Sequence, residues 1–504
     1  MIENGKAFTG SPLFANRCAG VLLHPTSLPS KAGFSSGDLG KEAYHFVNFL
    51  ADAGFTIWQM LPTGPTHGDL SPYQSLSAHA GNPDLISLDA LVERGWIPAN
   101  YPGLHSKERS ERQAARQRAE KRFFASVQHD SQLHQQYEEF CQANAAWLKD
   151  FALFLSLREH FQRRPWNEWP LEFVQRDTTA LNEAREQFAE QIRFYCFEQF
   201  VFFQQWQDLR SYAQKKGIYF FGDMPIFVAH DSADVWAEQQ SFRLDDQGNP
   251  LTVAGVPPDY FSEFGQHWGN PHYDWERMEA DGFQWWLARL RSQLNLFDLI
   301  RVDHFRGFEA FWEIPGNVKD ARQGRWVKAP GKALLAACFK EYHSLPLVAE
   351  NLGVITDEVE ALRQDFSLPG MLVLQFGFDG NAQNPHLPHR HSLLDVIYTG
   401  THDNDTTVGW YQSLSQTSRK QIDEYFFHAQ DTMPWLLIKA AFASVSRMAI
   451  VPMQDLLELS SEHRMNIPGT TDKNWTWRFS WDQVPENLAV KVHKLLALYG
   501  RLAK

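Results

Sequence analysis

Eight short apolar runs, rich in β-branched or aromatic residues and followed by turn signals, limit most strongly what this chain can become: residues 19–23, 56–61, 219–227, 299–305, 346–349, 371–376, 396–398 and 444–451. Short unbroken runs of this kind are the pattern of strands buried on both faces. Between most of them lie segments of helical periodicity, such as 331–342 and 356–364, so strand is followed by helix. That alternation predicts an α/β fold with a parallel sheet closed into a (β/α)₈ barrel, although an open doubly wound sheet shares the local pattern. Three acids favour the barrel. Asp303, Glu350 and Asp403 each close a run, in L-I-R-V-D-H-F, L-V-A-E-N-L-G and V-I-Y-T-G-T-H-D. A strand covered on both faces has no water to solvate a charge, so acids collect at its C-terminal mouth, where a barrel gathers its reactive groups.

Two intervals exceed simple crossovers, and a single catalytic domain over 1–504 is expected to carry both as insertions. Residues 64–217 are rich in Glu, Arg, Gln and Ala, which favours a helical subdomain. Within it, S-K-E-R-S-E-R-Q-A-A-R-Q-R-A-E-K-R from Ser106 mixes both signs of charge and is expected to form a solvated helix face. Residues 229–295 include G-V-P-P-D-Y-F-S-E-F-G-Q-H-W-G-N-P-H-Y-D-W. Gly, Pro and aromatics at that density predict an ordered loop that covers a site.

A formal net charge of −13 argues against nucleic acid or an anionic membrane surface and favours a neutral, hydroxyl-rich ligand. The 18 Trp and 38 Phe supply core first and flat platforms for sugar-like ligands second. Cys18, Cys141, Cys196 and Cys338 show no C-x-x-C spacing, which fits a reducing cytoplasm. The opening M-I-E-N-G-K-A-F lacks a leader-like apolar stretch, so neither secretion nor membrane insertion is expected.

Alternate residues of a strand share a face, so Arg301 and Asp303 project together and the guanidinium keeps Asp303 ionised. Glu350 follows the apolar Leu347, Val348 and Ala349, a setting that raises a carboxyl pKa toward acid/base use. Two such carboxylates suit glycoside chemistry, and a separation of about 5 to 5.5 Å would select retention of configuration. A plain Arg–Asp ion pair beside a surface Glu is the structural alternative. Asp403 with His402 offers a clamp for a sugar ring, while Asp405 reads as a helix N-cap. Asp223 in G-D-M-P-I-F-V and Tyr73 in S-P-Y-Q stand at a similar level. His386, His389 and His391 lack an acidic partner at helical spacing, and G-x-G-x-x-G and P-loop patterns are absent, which lowers metal, nicotinamide, flavin and nucleotide readings.

From about Arg17 onward the chain resembles the 4-α-glucanotransferases of glycoside hydrolase family 77, the amylomaltases or disproportionating enzymes of the α-amylase clan. The strings that carry the resemblance include H-P-T-S-L-P, S-P-Y-Q, A-G-N-P, G-D-M-P-I-F-V, D-S-A-D-V-W, G-V-P-P-D-Y-F, W-G-N-P, R-V-D-H-F-R-G, A-E-N-L-G, G-T-H-D-N-D-T-T and R-M-N-I-P-G-T. It implies retaining transfer of α-1,4-glucan segments between maltooligosaccharide or amylose chains, without metal or organic cofactor, in the cytoplasm, by a monomer or weak homo-oligomer. It assigns Asp303 as nucleophile, Glu350 as general acid/base and Asp403 as transition-state stabiliser. Arg301, His402, Tyr73 and Asp223 would surround the donor sugar; Tyr260 and Phe261 would lie on a covering loop; Trp268 and Asn466 would serve the acceptor. The chain departs from the family pattern at Glu263, Phe264, His267, Asn351 and Lys473. Asn351, directly after the acid/base, is expected to act on the pKa of Glu350. The rival readings are an α-glucan hydrolase, a non-catalytic glucan-binding protein and a metal-dependent barrel hydrolase.

Overall fold

The structure is a computed structural model that describes residues 2–3, 6–7, 11–30, 36–128, 130–258 and 263–502. Each of the eight apolar runs overlaps one strand of a single parallel sheet: β1 (Cys18–Leu22), β2 (Ile57–Gln59), β3 (Tyr219–Pro225), β4 (Leu299–Asp303), β5 (Leu347–Ala349), β6 (Gly370–Val373), β7 (Asp395–Tyr398) and β8 (Met448–Pro452). The hydrogen-bonded order is β5-β4-β3-β2-β1-β8-β7-β6, the ring order of a (β/α)₈ barrel. Across the remaining seam Ala349 N–H donates to Pro369 O at 2.8 Å. Asn351 Oδ1 accepts from Met371 N–H at 2.8 Å.

Crowding inside the ring explains one residue choice. At Gly20 of β1 a Cβ would lie 2.5 Å from Ile57 Cβ and 2.8 Å from Ile450 Cδ1, so β2 and β8 close on β1 only because no side chain is there. Outside the ring the C-terminus acts as a staple. Arg501 is fully buried and donates to the carbonyls of Cys18, Ala441, Phe442, Ser444, Ser446 and Arg447. It thereby ties the foot of β1 to the turn that enters β8.

Between β2 and β3 the chain forms a group of helices that includes Arg109–Val127, Ser131–Ala143, Ala145–His160 and Ala189–Lys215. The charged stretch from Ser106 lies largely in the first of these, and its face is not simply solvated. Arg112, Arg116 and Glu120 are buried and pair with Asp84 at 2.8 Å, Glu198 at 2.5 Å and Arg193 at 2.7 Å. Spacing of four residues puts these three on one stripe, and partners from other segments neutralise them inside the interface.

The segment expected as a loop around 255–275 also differs. It supplies strands Thr252–Val256 and Gln266–Pro271, which join Ala310–Pro315 and Arg325–Lys328 in a four-stranded antiparallel sheet. Pairing with Ala310–Pro315, distant in the chain, overrides the turn-like local composition.

Replacing Arg501 by Met should lower unfolding free energy by about 3–5 kcal/mol, because several buried carbonyls lose a charged donor together. Urea denaturation measures this; a loss within about 0.5 kcal/mol, the range of an ordinary surface change, would mean those carbonyls are satisfied otherwise.

Candidate active site

The acids that end β4 and β5 are brought together by register. Asp223 of β3 pairs with Arg301 of β4, and Val348 and Ala349 of β5 pair with Arg301 and Val302. One step further Glu350 N–H donates to Val302 O at 3.1 Å, which sets Glu350 beside Asp303. Along β4 the residues Arg301 and Asp303 share the face opposite Ile300 and Val302, so two charged groups reach the mouth while two apolar ones enter the core.

Arg301 is the hub. Its Nη1 donates to Asp223 Oδ2 at 2.6 Å and its Nη2 to Asp303 Oδ1 at 2.7 Å. The Tyr73 hydroxyl donates to the same Asp223 oxygen at 2.7 Å and lies 2.9 Å from His402 Nε2. That nitrogen is 3.2 Å from Asp403 Oδ2, and Asn466 Nδ2 donates to Asp403 Oδ1 at 2.6 Å. With Nε2 protonated, His402 donates to Tyr73 and Asp403, and Tyr73 passes its own hydrogen to Asp223. The polar chain therefore runs from Asp303 on β4 to Asp403 beyond β7.

Glu350 is held differently. His304 N–H donates to its Oε2 and Leu352 N–H to its Oε1, each at 2.8 Å. The backbone turns sharply at His304, which sits in the left-handed region at φ 55°, a conformation of the kind concentrated at functional sites. Burial, opposed by Arg301 and reinforced by Asp303, pushes the Glu350 carboxyl up to about 7. Burial also raises Asp223 against the pull of Arg301. Burial works against Asp403 and His402 as ions, yet each outweighs it for the other: Asp403 is held well below the usual carboxylate range and His402 above its ordinary value. The mouth thus combines a carboxylate clamped by a guanidinium with a neighbouring carboxyl that carries a proton near neutrality.

Trp268 meets the His304 ring edge-on, with centroids 4.9 Å apart, which ties the antiparallel sheet to the residue after Asp303. Tyr260 and Phe261 lie outside the described residues. Three residues that line this constellation were not singled out from the sequence: His304, Arg464, whose Nη2 donates to Asp403 O at 2.9 Å, and Trp475, whose ring centroid is 5.7 Å from Tyr73 and 6.0 Å from His402. His304 and Arg464 stand inside R-V-D-H-F-R-G and R-M-N-I-P-G-T, so position within those strings is the signal that would have found them. Trp475 has none. The three clustered histidines bond locally: His386 Nδ1 accepts from Val373 N–H, His389 meets Tyr425 OH and Ala382 O, and His391 meets Ser444 Oγ and His386 O.

A sequence model described as 4-alpha-glucanotransferase matches residues 23–483. The chain belongs to the 4-alpha-glucanotransferase family. It is 46% identical over 497 residues to a 4-alpha-glucanotransferase of Synechocystis, covering 96% of this chain and 98% of that one. It is 48% identical over 475 residues to a 4-alpha-glucanotransferase of Thermus thermophilus, covering 92% and 94%. The solved amylomaltase of Streptococcus agalactiae in complex with acarbose superposes with a TM-score of 0.91 at 35% identity, over 97% of this chain and all of that one.

Two departures from the 4-alpha-glucanotransferase pattern take on physical form. Asn351 bonds away from Glu350. Its Nδ2 donates to Glu360 Oε1 at 2.7 Å while its Oδ1 serves Met371 N–H across the β5–β6 seam, so it welds the barrel beneath the acid. Lys473, where Gly is frequent in the family, sits at φ 62°, the conformation that glycine adopts without strain.

Asn351→Asp should destabilise the barrel by about 1–3 kcal/mol, since two carboxylates would then face each other where an amide now donates. One of the pair must retain a proton, so its folded pKa rises above the unfolded value. The loss is therefore absent below an unfolded pKa of about 4 and grows as pH rises through the folded one. Adding Glu360→Gln restores a donor and should recover most of the stability. Thermal unfolding of the single and double variants at acid and neutral pH checks this, and no recovery in the double variant would refute it.

Proposed function

We propose that this 4-alpha-glucanotransferase carries out retaining transfer with Asp303 as nucleophile, Glu350 as acid/base and Asp403 as stabiliser, all on one catalytic domain spanning 1–504 with insertions at 64–217 and 229–295. The observation that carries the reading is the unequal treatment of two neighbouring carboxyls: Asp303 is bonded to Arg301, whereas Glu350 is pushed up to about 7 by burial. In the first step an Asp303 oxygen attacks C1 of the donor sugar as Glu350 gives its proton to the departing 4-oxygen. In the second, Glu350 takes the proton of an acceptor 4-hydroxyl, which attacks C1 and frees Asp303. One α-1,4 bond breaks and one forms, so reducing ends are conserved.

The surrounding groups act on the same sugar. Asp223 Oδ1 is buried without a hydrogen-bond partner, an acceptor that a donor-sugar hydroxyl would satisfy. His402 and Tyr73 complete that side. Asp403 is bonded by His402 and Asn466 and remains half-exposed, a fixed negative charge for the oxocarbenium-like transition state. Trp268, against His304, serves the acceptor. A reducing cytoplasm suits the four cysteines, all of them free thiols. Among the described residues no helix is long and apolar enough to cross a membrane.

With maltotriose, the protein should yield glucose and a ladder of longer maltooligosaccharides at constant reducing ends. A rise in reducing ends without the ladder would make it a hydrolase, and no products at all would leave a binding protein. Asp303→Asn and Glu350→Gln should each lower turnover by about three orders of magnitude or more with folding intact, as loss of a nucleophile or acid/base does. Near-wild-type turnover in either would overturn its role.

The pH profile follows from Glu350. Bond cleavage needs its protonated form, and its folded pKa lies at about 7, so kcat/KM should be sustained below that value and fall as pH rises through it. An alkaline limb well above 8, about a full unit away, would assign the proton to another group.

A further inference from the structure

Beyond the acid/base the cleft edge carries a second aromatic arm. Strand Arg325–Lys328 is the outer strand of the antiparallel sheet, and its Trp326 pairs in register with Trp312. The two rings meet edge-on with centroids 5.2 Å apart. The Arg306 guanidinium lies 3.8 Å from the centre of the Trp326 ring and donates to Val354 O. That contact locates the ring. Arg306 belongs to the turn that follows Asp303, and Val354 belongs to the loop that follows Glu350, so both leave the same barrel mouth. Trp326 nevertheless remains 40% exposed and Val354 66% exposed, a large apolar surface to leave at the rim of a cleft.

We propose that Trp326, backed by Arg306, is a remote binding platform for a glucosyl unit of a long α-1,4-glucan passing beyond the acid/base.

The chemistry favours a neutral sugar over an ion. Arg306 is taken up by the ring and the Val354 carbonyl, Lys328 pairs with Glu309, and Arg325 shares Glu313 with Arg243, so each cation near the indole is already engaged. What remains is a flat, partly wet ring, suited to the C–H face of a pyranose while its hydroxyls stay in water. Arg306 holds the indole from behind, so the platform is ordered before the ligand arrives and loses little freedom on binding. Trp268, against His304, serves the sugar next to the acid/base; Trp326 stands on Arg306, two residues further along the turn that follows Asp303. The inference rests on the transferase reading for the course of the glucan, but binding tests it separately from turnover.

The experiment compares wild type, Trp326→Ala and Trp326→Phe by retardation in native gels containing amylose and by disproportionation of maltotriose. Trp326→Ala should weaken amylose retardation by about tenfold in apparent Kd, in the range expected for one aromatic contact. Its maltotriose kcat and KM should be unchanged, because a trisaccharide reaches the catalytic centre without the platform. Trp326→Phe should retain most of the amylose affinity. Equal retardation of wild type and Trp326→Ala would overturn the proposal, as would a parallel loss of maltotriose turnover, which would show Trp326 merely propping the site. If wild type is retarded in a Trp326-dependent way but yields no ladder from maltotriose, the platform stands and the transferase reading fails.

Discussion

A single buried guanidinium governs the mouth of this barrel. Arg301 lies between Asp223 and Asp303 with hydrogen bonds of 2.6 and 2.7 Å, and the two carboxylates hold its pKa well above the ordinary value despite burial. One positive charge between two negative ones leaves a net negative charge in a place with little water. A third ionised carboxyl there would meet both desolvation and repulsion. Glu350 therefore keeps its proton to about neutrality. Burial is the larger cause of that retained proton, with Arg301 opposing it and Asp303 adding to it.

The architecture keeps that arrangement fixed. Register across β3, β4 and β5 sets Asp223 level with Arg301 and brings Glu350, two residues past Arg301's partner Val348, beside Asp303, and peptide N–H groups rather than mobile side chains hold both oxygens of Glu350. Across the barrel, Tyr73 and His402 carry the hydrogen-bond chain to Asp403. Such an ordered set of dipoles has little reorganisation left to do as charge develops on a sugar. The antiparallel sheet adds Trp268 against His304, so the pocket wall and the reactive floor meet at a contact between rings.

Most of this was legible where the sequence expresses a local rule. Buried parallel strands need unbroken apolar runs, and acids tolerated at their ends announce the mouth; hence the eight strands and the positions of Asp303, Glu350 and Asp403 could be read directly. Asp223, Tyr73 and His402 stood at the same level of the strand ends, and the resemblance of ordered strings added Asn466. What escaped depends on partners far away in the chain. Arg112 and Arg116 looked solvent-facing because Asp84 and Glu198, which neutralise them, lie on other segments. Strand Gln266–Pro271 looked like loop because its composition is turn-like and the sheet it joins is completed by Ala310–Pro315. Asn351 illustrates the same limit at the smallest scale: adjacency to Glu350 said nothing of where its amide points.

The staple at Arg501 has a consequence for how the barrel comes to exist. β1 is the first barrel strand to be synthesised and β8 the last, yet they are neighbours in the sheet. The carbonyl of Cys18 at the foot of β1 receives its donor from a residue almost at the C-terminus. While the chain emerges from a ribosome, β1 can pair with β2 but must wait with its other edge open until β8 has been made. An open apolar edge is a template for intermolecular pairing. Ring closure thus waits for β8 and for the segment that bears Arg501, and the interval before it is the period in which a nascent chain of this protein most needs protection.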